Sequence, residues 1–397
     1  MSKLNELLNG LQVKSIPLGE VSIIKRGKRV TKRQLSPEKK YPVYSGGVKP
    51  MGYFEDYNQN ENTITVVKYG TAGFVNYITE KFWANDVCYC LKPKENLNNK
   101  YLLHVLKQKQ NHIYSLATDA IPAHLPTDEI NGIEIPIPCP DNPEKSLEIQ
   151  KEIVGILDTF TELTTELTTE LTARKKQYEY YREQLLTFDK TEVKHLPMDD
   201  ENVGELIRGK RFVKTDMISE GVPCVHYGEM YTHYGTWANK TKSFVSKELV
   251  ERKKLRCALK GDVVIVAAGE TIEDIGQGTA WLGEEGAVIH DACFYYKSNL
   301  NSKYVAYFTR TRQFHDQIKK HIRTGKISAI NAKGLGKALI PIPSPEEQER
   351  IVNILDKFDV LTTSISEGLP KEIELRKKQY EYYRNKLLTF PKDTVEV

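Results

Sequence analysis

Two short basic stretches hold the residues best suited to a chemical task. Arg26 to Arg33 reads RGKRVTKR directly after a strand-like run, and Arg208 to Lys214 reads RGKRFVK at the matching place in the second half of the chain. Lysines and arginines gathered in one loop supply contacts to phosphate, the sequence-independent part of affinity for DNA. On this reading Lys25, Arg26, Lys28, Arg29, Lys32 and Arg33 form one phosphate-contacting surface, and Arg208, Lys210, Arg211 and Lys214 form another. A solvated basic turn is the plain alternative for either loop alone; recurrence in both halves tips the balance toward nucleic acid. Small and aromatic residues follow in neighbouring loops: Tyr44 and Ser45 before Gly46-Gly47, Lys68, Tyr69 and Thr71 around Gly70, and His226 and Tyr227 with Gln277. Glycine lets backbone approach a ligand, while Lys, Gln, Ser and His reach base edges in the major groove. Packing is the competing role for the tyrosines. A third pair of loops, Thr118 to Leu125 (TDAIPAHL) and Arg323 to Ile330 (RTGKISAI), precedes the closing strand of each half. Arg323 and Lys326 suit the second for backbone or phosphate contact, the first lacks that character, and a structural turn is the alternative for both.

The sequence argues against chemistry of its own. Gly27-Lys28, Gly209-Lys210, Gly325-Lys326 and Gly336-Lys337 are not followed by Ser or Thr, so no phosphate-binding loop of the G-x-x-x-x-G-K-[ST] type is present, and G-x-G-x-x-G, H-E-x-x-H and G-x-S-x-G are absent too. The six cysteines form no C-x-x-C pair, which favours free thiols in a reducing compartment over a metal site. His290-Asp291 invites an acid–base reading, but its counterpart is Asn85-Asp86, so the shared aspartate reads as a structural residue at a strand start. The net charge of +4, from 57 Lys and Arg against 53 Asp and Glu, says little; the placement of the charges says more. The opening MSKLNELLNG lacks a signal-peptide pattern, and no run approaches the roughly 18 apolar residues of a membrane span. The expectation is a cytoplasmic protein with no membrane partner.

What must position these loops is a duplicated framework. Arg174 to Lys190, RKKQYEYYREQLLTFDK, returns at Arg376 to Lys392 as RKKQYEYYRNKLLTFPK, about half a chain length later. Lys100-Tyr101 matches Lys303-Tyr304, IPIP at Ile135 matches IPIP at Ile340, and Gln150 with Ile156-Leu157-Asp158 matches Gln348 with Ile354-Leu355-Asp356. The periodicity predicts a short helical lead-in over 1–14, a mixed α/β domain over 15–143, a long helix over 144–190, a second mixed domain over 191–343, a second long helix over 344–392 broken near 366–370, and a tail over 393–397. Within the domains, strands are expected at Val21–Lys25, Thr63–Lys68 and Val87–Leu91, and a helix at Lys100–Ser115. The fold class is α+β: two pseudo-repeated mixed α/β domains separated by two long helices packed as an antiparallel coiled coil. The first long helix carries three TELT tetrapeptides from Thr161 to Thr172. They read either as solvent-facing filler or as a ruler, each repeat adding about 6 Å of helix.

Taken together, the IPIP-C/S-P closures, Gln150 and Gln348, the I-V-x-I-L-D helices, the TELT repeats and RKKQYEYYR-x-x-LLTF make the chain resemble the specificity subunit of a type I restriction-modification system, of the subgroup with tetrapeptide repeats in its central spacer. The resemblance covers nearly the whole length. It implies two target recognition domains, each reading half of an asymmetric, interrupted site in double-stranded DNA, with the helices as spacer. It further implies two methyltransferase subunits docked on the helices and binding S-adenosylmethionine, and a restriction and translocation subunit using ATP and Mg where the system cleaves. This chain would then hold no cofactor and perform no catalysis. The YEYYR segments, with Tyr178, Tyr180 and Tyr181 and again Tyr380, Tyr382 and Tyr383, offer more aromatic surface than one helix stripe buries, which nominates Tyr178, Tyr181 and Arg182, with Tyr380, Tyr383 and Arg384, first among them as partner-facing residues. Two other classes stay open at the sequence level: a two-headed coiled-coil scaffold for protein partners, and an enzyme whose site is unrecognised.

Overall fold

Runs of β-branched and aromatic residues such as TITVV at Thr63–Val67 fit a pleated surface, and in the computed structural model, which describes residues 10–390, they build the sheets of two compact units. Unit 1 comprises residues up to Thr168 together with those from Glu372 onward, and unit 2 comprises Thr169–Lys371.

Unit 1 is built on a four-stranded antiparallel sheet in the order Ser22–Arg26, Cys88–Pro93, Thr63–Val67, Val75–Ile78. A smaller sheet joins Tyr53–Phe54, Tyr41–Tyr44 and Trp83–Ala84, the last two strands running parallel. Val13–Pro17 pairs antiparallel with Glu134–Pro138. Val13 and Lys14 are therefore strand residues and not part of the expected helical lead-in, whose residues 1–9 lie outside the described range. The helix expected over Lys100–Ser115 is two, Asn99–Gln108 and Gln110–Ser115, separated at Lys109.

Unit 2 repeats the plan. Its main sheet runs Gly204–Arg208, Cys293–Ser298, Val263–Val266, Gly278–Trp281 and then Trp237–Ala238, the first four strands retracing the order of unit 1. A second five-stranded sheet contains Val222–Val225 and Ala287–Ile289 as a parallel pair. His195–Pro197 pairs with Leu339–Pro341, as the entry and closing strands do in unit 1.

The long first helix is continuous from Pro143 to Leu185, 43 residues or about 65 Å. The second is interrupted: one helix ends at Thr363, the next begins at Leu369, and between them Gly368 adopts φ +108°, where a Cβ would lie 2.4 Å from the Val360 carbonyl oxygen. Each unit is completed by the copy of RKKQYEYYR-x-x-LLTF that is more distant in sequence from its own first helix turns, the later copy in unit 1 and the earlier copy in unit 2. Leu387 and Leu388 are buried with Ile153, Leu157 and Leu102 in unit 1, and Leu186 with Ile351, Leu355 and Val305 in unit 2.

The matched motifs are the wiring of domain to helix. Asn98 and Asn301 cap the helices that follow them, each accepting two backbone N–H groups, while their own N–H groups donate to Gln150 Oε1 at 2.8 Å and Gln348 Oε1 at 2.9 Å. Lys100 pairs with Asp158 and Lys303 with Asp356, both at 2.6 Å. The Tyr101 and Tyr304 hydroxyls donate to the carbonyls of Pro136 and Pro341 in the IPIP strands. Buried polar groups need such partners, which is why these letters recur.

Candidate nucleic-acid interface

Both basic loops leave the edge strand of the main sheet and are held down by the same bonds. Gly27 N–H donates to Cys88 O at 3.1 Å and Lys28 N–H to Ala84 O at 2.9 Å; Gly209 N–H donates to Cys293 O at 3.1 Å and Lys210 N–H to Ile289 O at 3.0 Å. The backbones come so close that a Cβ on Gly27 would stand 2.2 Å from Ala84 O, and one on Gly209 2.3 Å from Ile289 O. Glycine is required there by contact, not by φ. The guanidinium of Arg26 donates to Asp86 O through Nε and Nη2, and Arg208 Nε donates to Asp291 O at 2.9 Å. These two arginines thus anchor their own loops while remaining exposed; Lys25, Lys28, Arg29, Lys32 and Arg33 in unit 1, and Arg211 and Lys214 in unit 2, are exposed too, and Lys210 is half-buried.

The loops lie over the carboxyl ends of the parallel strand pairs. In unit 1 Tyr44 is paired with Ala84, and the next residues are Ser45 and Asn85; in unit 2 Val225 is paired with Ile289, followed by His226 and His290. Asn85 N–H donates to Tyr44 O at 2.9 Å, and His290 N–H to Val225 O at 3.2 Å. The aspartates next along contribute main-chain carbonyls to the arginines; the buried side chains at this turn are Asn85 and His290. Sequence comparison set that pair aside because the letters differ. The signal was the frame around them, N-D-x-C and H-D-x-C.

In unit 1 the loops of Tyr44-Ser45 and Lys68–Thr71 interlock, Thr71 donating to Gly46 O from both N and Oγ1. Lys68 lies over the rings of Tyr69 and Tyr89, Tyr69 stacks on His124 at 5.5 Å, and Tyr44 meets Phe82 edge-on. The loop over 118–125 closes on this group through Leu125 N–H to Lys68 O, and its partner in unit 2 does the same through Ile330 N–H to Ala267 O, both at 2.8 Å. Ser45, Lys68, Tyr69 and Thr71 are therefore brought together as a surface beside the basic loop.

Unit 2 has a cavity of about 440 Å³ at the same place. Arg208, Arg211, Lys214, Glu270 and Ile327 rim it, and Phe212, His226, Tyr227 and His290 line its floor. His226 lies 4.5 Å from His290 and 4.7 Å from Tyr227, centroid to centroid. Its Nδ1 accepts from Gly228 N–H at 3.3 Å, capping the turn that follows and leaving Nε2 to carry the proton. Burial first, and then the neighbouring His290, hold His226 below the usual imidazole range; burial also lowers His290, against the opposing pull of the Asp291 carboxylate. Arg323 and Lys326 are exposed on the loop that brings Ile327 to the rim. Gln277 is not part of this group: it accepts from Arg310 Nη1 at 3.2 Å and lines a separate cavity with Arg182, Arg312 and His315.

The helical tyrosines divide differently from the expectation. Tyr178 is buried, donating to Asp359 and stacking on Phe358; Tyr181 also stacks on Phe358; Tyr380 bonds the His104 ring at 2.9 Å; Tyr383 stacks on Phe160 at 5.0 Å. Arg182 and Arg384 lie over Tyr178 and Tyr380. The tyrosines that face solvent most are Tyr180 and Tyr382, 60% and 61% exposed. Helix geometry explains the correction: positions 178 and 181 share one face, and 180 points away from it.

Among the described residues no group of His, Cys, Asp and Glu is placed to hold a metal ion, and no helix is long and apolar enough to cross a membrane. The family model for the type I restriction modification DNA specificity domain matches residues 11–175 and again 201–375, one match for each half of the duplication. The specificity subunit of the type I restriction enzyme EcoR124I/EcoR124II from Escherichia coli is 33% identical over 414 aligned residues, covering 99% of this chain and 98% of that one. A putative type I restriction enzyme specificity subunit from Haemophilus influenzae is 35% identical over 407, covering 98% of both. In fold, the chain is similar to the crystal structure of the type I restriction-modification S subunit from M. genitalium, with a TM-score of 0.59 at 19% identity over 99% of this chain and 100% of that one. The chain belongs to the family of type I restriction-modification specificity subunits, with two DNA recognition domains.

Proposed function

We propose that each unit reads one half of a bipartite, asymmetric site in duplex DNA, that the long helices set the gap between the halves, and that they dock two methyltransferase subunits. One observation carries the reading. The same basic loop is fastened by the same backbone bonds to the same two strands in both units, yet Ser45 stands at the neighbouring strand end of one and His226 at that of the other. A repeated mount with different contents suits two different half-sites: phosphate contacts position the protein, and base contacts specify. Recognition is this chain's part; methyl transfer from S-adenosylmethionine and, where the system cleaves, ATP- and Mg-dependent translocation and cutting belong to partner subunits in the cytoplasm.

The test is DNA binding by the chain assembled with its methyltransferase across a salt series. Phosphate contacts make log K fall steeply and linearly with log salt. A shift that weakens steeply supports the reading. A stable complex that does not retard DNA at low salt would move the chain to the scaffold class.

A further inference from the structure

Asn85 and His290 do not match as letters, but they do the same mechanical work. Asn85 Oδ1 accepts from Val30 N–H and its Nδ2 donates to Val30 O, both at 3.1 Å, so one amide closes a pair of hydrogen bonds onto the buried residue that follows the RGKR turn. It also accepts from Asp86 N–H at 2.9 Å and reaches Ser45 Oγ at 3.5 Å. The residue after RGKR in unit 2 is Phe212, fully buried, which meets the His290 ring edge-on at 5.2 Å. His290 Nδ1 accepts from Ala292 N–H at 3.0 Å, and the ring faces His226 at 4.5 Å. The two side chains therefore have three contacts in common: the residue after the basic turn, their own tight turn, and the residue at the other strand end.

We propose that Asn85 and His290 are positioning residues, each fixing the basic loop of its unit against the neighbouring strand-end residue, Ser45 or His226, so that phosphate contact and base contact fall in register. This rests on the two-headed reading above. A rigid support behind a recognition loop matters because a contact displaced by about 1 Å loses most of its worth. The two units have solved one mechanical problem with two side chains. It follows that asparagine should serve in place of His290, since the frame around the two residues is the same.

The experiment is methylome sequencing of a host expressing the full chain with its methyltransferase, as wild type and as His290→Leu, His290→Asn and Asn85→Leu. Leucine keeps bulk in the site and removes the hydrogen bonds. His290→Leu should leave one half of the methylated motif sharp and blur the other, with occupancy at the original motif down roughly tenfold, the worth of a lost buried hydrogen bond. Asn85→Leu should blur the opposite half, and His290→Asn should restore the wild-type motif. The inference fails if the leucine variants assemble and both halves stay sharp, or if His290→Asn blurs the motif as leucine does. Should His290→Leu not assemble, Asn85→Leu and His290→Asn decide alone. A wild-type chain that yields no two-part motif would instead overturn the reading on which the inference rests.

Discussion

Arg26 and Lys28 stand two residues apart in one loop and do different work. Both are exposed, but the Arg26 guanidinium donates to the Asp86 carbonyl through Nε and Nη2, whereas no hydrogen-bond partner holds the Lys28 side chain among the described residues. Arg26→Ala should therefore cost about 1 kcal/mol of stability, read as a lower urea midpoint. Lys28→Ala should leave the midpoint within about 0.5 kcal/mol and make the salt dependence of DNA binding shallower by about one unit of slope. Equal loss of stability in both variants would contradict this division. The histidines of unit 2 give a pH signature. Burial puts His226 and His290 below the ordinary value of 6.5, so as pH falls past that value the unfolded chain binds protons first. Their contribution is complete above pH 6.5 and is lost as the pH drops toward their folded-state values. A His226→Ser/His290→Asn variant should show a smaller fall in urea midpoint between pH 7.5 and 5.5 than wild type; an unchanged fall would show that these rings titrate without linkage to folding. At this scale the sequence located the loops but not the jobs inside them. Arg26 and Gln277 have the right chemistry for DNA, and only the fold shows one hydrogen-bonded to the Asp86 carbonyl and the other turned to a different cavity.

Elements were legible where a letter pattern had one physical meaning. The 43-residue helix follows from its apolar stripe, and the break after Thr363 follows from Gly368 and Pro370. The lead-in was misread at Val13-Lys14 because its leucines mimic helical spacing while its partner strand, Glu134–Pro138, lies more than a hundred residues away; local periodicity carries no information about such a pairing. Tyrosines were overcounted as interface residues for a related reason: Tyr178 is taken up by the helix Pro345–Thr363 through Asp359 and Phe358, and Tyr380 by His104 of the domain helix Asn99–Gln108. Tyr178→Ala should destabilise by roughly 3 kcal/mol. Tyr180→Ala with Tyr382→Ala should leave the unfolding midpoint alone and reduce recovery of the methyltransferase in co-purification. Full recovery with both tyrosines removed would place the docking surface elsewhere.

Across the whole molecule, the duplication was the most readable feature and the family match reproduces it, one model hit on each half. Half-site identity was not readable, because it depends on side chains that differ between copies on a shared frame. The TELT tetrapeptides sit inside an unbroken helix whose threonine hydroxyls donate to carbonyls four residues back, as Thr164 does to Phe160 and Thr165 to Thr161. Removing one tetrapeptide should shorten the helix by about 6 Å and turn its end by about 40°. The expected readout is a methylated motif with both halves kept and the gap shorter by about one or two base pairs; an unaltered gap would make the repeats filler. The central claim is best tested by comparing the methyladenine map of a host that expresses this chain with its methyltransferase against the same host without the chain. The account predicts one new motif made of two short blocks separated by a fixed, unread gap. A single uninterrupted motif, or none from an assembled and active complex, would contradict it.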